Sequence, residues 1–137
     1  MIRARLAEVF PDTSAYAPLT RDELQITEKT LLESCTEQRH PLRKADSQSA
    51  TLNGTDADPV DIANWLAGLP VDLDARVIVI WRGERSAVRM SYRAFIQHYD
   101  DLWYPGADDL WVYGEMDHWL LGIDHEERFE FTRCLDG

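Results

Sequence analysis

Residues Arg76-Val-Ile-Val-Ile-Trp81 limit the possible folds more than any other stretch of this 137-residue chain. Five consecutive apolar side chains leave a β-strand no wet face, so this segment is expected to be a central strand covered on both sides. It needs neighbours. Arg82-Gly83-Glu84-Arg85 suits a hairpin turn into a second strand, Ser86 to Met90. Leu110–Tyr113 and Trp119–Ile123 read as adjacent strands around a turn at Gly114 to Asp117. Asp124–Glu127 is a polar turn into Arg128–Thr132, where Phe129 and Phe131 alternate with Arg128, Glu130 and Thr132.

Helical spacing surrounds these strands. Ser91 can cap a helix from Tyr92 to about Tyr104, with Phe95, Ile96, Tyr99, Leu102 and Trp103 on one face. Asp58-Pro59 is an N-cap followed by proline at the first helical position, and it starts a helix carrying Ile62, Trp65, Leu66 and Leu69. Thr20 to Glu23 has the form of a capping box, opening a helix expected to end near Gln38 before His40-Pro41. Its apolar side, Leu24, Ile26, Leu31, Leu32 and Cys35, is irregular. Residues 2–10 predict a short helix stopped by Pro11.

The expected fold is therefore α+β. An antiparallel sheet of about four to five strands has a helix packed on it, and an α-helical N-terminal third precedes it. The length is that of one domain. Within it, residues 1–41 form the helical segment, 42–57 a mobile loop with Leu52 as its one sizeable apolar residue, and 58–137 the core.

Net charge is −11, an imbalance that argues against nucleic acid or an anionic membrane as partner. From Ala94 to Glu127 there are nine acids and no Lys or Arg, and the stretch Tyr99–Trp111 holds two Asp-Asp-Leu-Trp repeats around Tyr104-Pro105-Gly106. Asp100, Asp101, Asp108 and Asp109 are expected to cluster, exposed and without basic partners, at the helix end and turn. Tyr104 and Tyr113 flank them at element ends; with Glu115 and Asp117 these residues form the expected partner-binding surface, because hot spots favour aromatic residues. The five tryptophans take the core reading first.

Chemistry is harder to find. Asp117-His118 and Asp124-His125-Glu126-Glu127 match neither H-E-x-x-H nor the calcium-loop spacing. Neighbours on a strand also point to opposite faces, so no metal, cofactor or catalytic residue is assigned. Cys35 and Cys134 lie 99 residues apart and read as free thiols of a reducing compartment. With no secretory leader pattern and no apolar run near the ~20 residues of a membrane span, the cytoplasm is the expected location.

The segments Tyr99–Leu110 (YDDLWYPGADDL) and Asp117–Phe131 (DHWLLGIDHEERFEF) resemble small bacterial proteins with a Y-x-D-[FL]-x-Y-P-x-x-D-D stretch, some of which look like toxin-immunity proteins. The resemblance covers residues 76–132. It implies a cytoplasmic protein that neutralises a cognate protein toxin, without implying which toxin or any catalytic residues. The acidic surface adds the expectation of a basic toxin, such as a nuclease, whose active site is occluded. Two other readings are a small hydrolase or metal-dependent enzyme using the Asp, His and Glu clusters of residues 100–127, and an interaction domain with no toxin partner.

Overall fold

In the computed structural model, which describes residues 2–35, 50–104 and 108–134, the chain builds one antiparallel sheet of seven strands. The elements run α1 (Ile2–Val9), β1 (Ala17–Pro18), α2 (Arg21–Ser34), β2 (Ala50–Asn53), α3 (Pro59–Ala67), β3 (Arg76–Trp81), β4 (Ser86–Ser91), α4 (Tyr92–Leu102), β5 (Leu110–Gly114), β6 (Trp119–Ile123) and β7 (Arg128–Arg133). The strand order is β1-β4-β3-β5-β6-β7-β2.

The alternation of strand side chains sorts the interior into two cores. Val77, Val79 and Trp81 of β3 point to one face, where they meet α1, α3 and α4 through Leu6, Leu66, Phe95 and Leu102. Ile78 and Ile80 point to the other, where α2 covers them with Leu24 and Leu31. All five β3 residues after Arg76 are buried. An apolar run with no wet face thus has helices on both sides, as its composition requires.

The expected architecture is corrected in two respects. The sheet has seven strands instead of four to five, and no helical third stands ahead of it. β1 interrupts the N-terminal helices and pairs with β4, while β2 falls inside the expected 42–57 loop and pairs with β7 through Leu52↔Phe129. Both are edge strands. Pro18 lacks an N–H and is tolerated there, and in β2 only Ala50 and Leu52 turn inward while Thr51 and Asn53 face solvent. α2 ends at Ser34 with Cys35 as its C-cap, short of the expected Gln38, while His40-Pro41, the loop over residues 42–49 and the turn at Pro105-Gly106 lie outside the described residues.

Three helix starts follow their caps. The Thr20 hydroxyl accepts the Glu23 N–H while the Glu23 carboxylate accepts the Thr20 N–H. Asp58 accepts from Asp61 N–H, and Ser91 from Ala94 N–H. The buried side of α2 is Leu24, Thr27, Leu31 and Cys35, at intervals of 3, 4 and 4, while Ile26 and Leu32 are exposed.

Candidate functional site

At the end of α4 the chain turns into β5, and this corner is held by a cation from the far end of the sequence. Arg5 donates to the carbonyl of Leu102 (3.0 Å) and to Asp108 Oδ2 (2.8 Å), and its guanidinium lies 3.7 Å from the centre of the Tyr104 ring. The Arg5 and Asp108 side chains are only 10% and 13% exposed. Asp108 Oδ2 also accepts the Tyr104 N–H (2.8 Å), and the Asp108 carbonyl accepts the Trp103 indole N–H (3.1 Å). The Leu102 carbonyl takes a further bond from the Trp81 indole (2.8 Å). A positive group at a helix C-terminus complements the helix dipole, which offsets the unfavourable placement of Asp100 and Asp101 there.

The next acid is engaged as well. Asp109 Oδ1 accepts the His125 N–H and contacts His125 Nδ1, both at 3.0 Å. The hydrogen bond with Asp109 raises the His125 pKa, and the same bond holds the Asp109 carboxyl low. On the adjacent strand end, the Arg82 guanidinium stacks 3.9 Å from the centre of the half-buried Trp111 ring.

Tyr113, Glu115 and Asp117 lie at the other end of β5, about 15 Å away at 3.3 Å per residue. Glu115 pairs with Arg89 (2.9 Å), which also holds Glu23 (3.1 Å). Tyr113 is buried, with its hydroxyl 2.9 Å from His118 Nδ1, and burial raises its pKa. Asp117 is exposed. The expected partner surface is therefore divided. Asp100, Asp101, Tyr104, Asp108 and Asp109 share one end of the sheet; Tyr113, Glu115 and Asp117 share the opposite end.

Pairing also changes the electrostatic character of the acid-rich segment. Asp108, Glu115, Asp124 and Glu126 pair with Arg5, Arg89 and Arg128, all of which lie outside residues 94–127, and Asp109 pairs with His125. The expectation that Asp108 and Asp109 are exposed acids without basic partners is corrected: both are fixed structural groups. Asp100 and Asp101 stay exposed, with no ion pair among the described residues. The Tyr99 hydroxyl donates to the Pro59 carbonyl (3.1 Å), which sets the end of α4 beside the start of α3 and its exposed Asp58, Val60 and Asp61. Burial lifts the Tyr99 pKa to about 12, with Asp100 and Asp58 adding to the shift.

The histidines do not converge, because His118 precedes β6 and His125 follows it. Among the described residues, the grouping with metal-ligand proximity is instead Cys35, His118 and Cys134. The two cysteines are joined by a disulfide, which corrects their reading as free thiols. The bond ties the C-cap of α2 to the residue after β7. No protein-family model matches this sequence and no curated protein matches it. The likeness to toxin-immunity proteins thus stands on the motif alone.

Proposed function

We propose that this chain is an immunity-type inhibitor that captures a basic protein toxin through the acidic edge formed by the end of α4 and the start of α3. The observation carrying this reading is selective neutralisation. Of the acids on β5, β6 and their turns, Asp108, Glu115, Asp124 and Glu126 are matched to arginines and Asp109 to His125. By contrast, exposed Asp58, Asp61, Asp100 and Asp101, on the two helix ends that the Tyr99–Pro59 bond brings side by side, have no ion pair among the described residues and flank exposed Val60. An unmatched acidic edge accelerates encounter with a positively charged cleft and competes with the phosphates such a cleft holds. Tyr104, 45% exposed and stiffened by Arg5, supplies an aromatic contact at the same end of the sheet. The reading places the protein in the cytoplasm with its target; no helix of the described residues is long and apolar enough to cross a membrane.

The test replaces Asp58, Asp61, Asp100 and Asp101 together by Asn, which keeps side-chain volume and leaves position 58 able to cap α3. Association with a basic toxin domain encoded beside the gene is then measured at two salt concentrations. The expected result is an association rate lower by about tenfold at low salt, with the difference shrinking as salt rises. Equal rates for both proteins at both salt concentrations overturn the proposal.

A further inference from the structure

The proposal above leaves the opposite end of the sheet without a role, and that end holds a built constellation of soft ligands. Cys35 Sγ, Cys134 Sγ and a ring nitrogen of His118 all lie within 4.8 Å of one another. They come from three separate places: the C-cap of α2, the residue after β7, and the turn between β5 and β6. Each is fixed by its backbone. Cys35 N–H donates to the Leu31 carbonyl (2.9 Å), His118 N–H to the Gly114 carbonyl (2.8 Å), and Cys134 N–H to the His118 carbonyl (2.8 Å). His118 takes a left-handed conformation at φ 56°, a backbone geometry few non-glycine residues adopt. Its Nδ1 is held by the Tyr113 hydroxyl at 2.9 Å.

We propose that Cys35, Cys134 and His118 form a redox-gated zinc site, closed as a disulfide in the oxidised chain and open to one Zn2+ per chain when the disulfide is reduced. Two sulfurs and one imidazole are the ligand set of three-residue zinc sites, in which water completes the tetrahedron. We assign Nε2 as the ligating atom, which leaves Nδ1–H to donate to the Tyr113 oxygen 2.9 Å away. Metal-bound histidines commonly carry such an outer partner, which sets the tautomer and the ring orientation. Charge also balances. Zn2+ with two thiolates and a neutral imidazole has no net charge, which suits a site packed among Leu31, Tyr113 and Leu120.

The chemistry closes with a dithiol reductant. It breaks the Cys35–Cys134 bond, delivers two electrons and two protons to the sulfurs, and closes its own disulfide. Zn2+ then displaces both thiol protons to solvent as it takes the two thiolates. A reducing compartment would therefore hold the metal form and an oxidising one the crosslink. In both states α2 stays tied to the end of β7.

The test uses the untagged full chain, reduced with a phosphine that does not compete for metal. Zinc is titrated against a chromophoric chelator, and Co2+ serves as the spectroscopic probe. Reduced wild type should bind one zinc per chain and give a thiolate-to-cobalt charge-transfer band. The doubly substituted Cys35→Ser/Cys134→Ser chain should lose both, and the oxidised chain, its disulfide verified by mass, should bind neither metal. Tyr113→Phe should weaken zinc by about tenfold, and His118→Asn, which tolerates the left-handed backbone, by at least as much. Reduced wild type, Cys35→Ser and Cys134→Ser all lack the crosslink, so its loss cannot explain a difference among them. The proposal is overturned if reduced wild type binds zinc no more tightly than the double serine variant, or if His118→Asn keeps wild-type affinity. Zinc binding by the oxidised chain, or a reduced chain that is unfolded and stays so with zinc, overturns it equally.

Discussion

Arg5 places one guanidinium on three partners: a helix-terminal carbonyl, a nearly buried carboxylate and an aromatic face. Removing Asp108 leaves that charge without its counterion, so Asp108→Ala should cost about 3 kcal/mol in chemical denaturation, the range for breaking a buried pair. Asp100→Asn, at an exposed position, should stay within about 0.5 kcal/mol. Equal effects at the two positions would mean the corner is not organised around Arg5. The Asp109–His125 pair makes a different prediction, because both side chains are roughly half exposed. His125 titrates above its ordinary 6.5 and Asp109 below its ordinary 3.8. The histidine's contribution to stability is thus fully present below pH 6.5 and is lost as pH rises through its raised value. That of Asp109 is present above pH 3.8 and is lost as pH falls through its lowered value. NMR titration of the His125 ring should show the raised pKa, and Asp109→Asn should bring it back toward 6.5. These partners explain why the candidate surface was only partly legible in sequence. Acid density was visible, but Arg5 lies 103 residues from Asp108 and Arg89 lies 26 from Glu115. No local spacing announces such pairs.

Among the elements, those with local instructions were legible: capped helices at Thr20, Asp58 and Ser91, and the strands β3 to β7 with their long apolar runs or strict alternation. β1 and β2 were not, because strands of two and four residues, the first an exposed Ala-Pro pair and the second with one polar face, have the composition of a loop and are defined by their partners. For α2 the irregular apolar side resolves into two kinds of position. Leu31 is fully buried against the sheet, so Leu31→Ala should cost roughly 2–5 kcal/mol. Ile26 is 68% exposed, and Ile26→Ala should be neutral or slightly stabilising, since alanine is the better helix former. Thermal melts of the two variants separate the cases. Between β5 and β6, Gly114 has no room for a side chain: an added Cβ would meet the Trp119 indole. Gly114→Ala should therefore destabilise by about 1–3 kcal/mol through overpacking, and near-UV circular dichroism should report the displaced Trp119.

Across the whole molecule, order in the sheet departs from order in the chain at both edges. The β3–β4 hairpin and α4 are consecutive, whereas β2 waits for β7 across 128 − 53 = 75 residues at its nearest register pair, Asn53↔Arg128. Loop closure of that length is an entropic cost paid before any contact forms, so the β2–β7 ladder should assemble after the hairpin. Leu52→Ala should accordingly speed unfolding and leave the refolding rate nearly unchanged, while Val79→Ala should slow refolding; stopped-flow measurements distinguish the two.

The partnership of β2 with the last strand has a further consequence during synthesis. At ~5–20 residues per second, the 75 residues from Gly54 through Arg128 take the ribosome roughly 4–15 s to add, and for that interval β2 has been made but its partner has not. Its outward Thr51 and Asn53 make the waiting segment a poor template for pairing with other nascent chains. A transcript cut short before codon 128 would do more than omit one strand. It would strand β2 permanently and leave the β6 edge, with buried Leu121 and Ile123 beside it, open to the next chain.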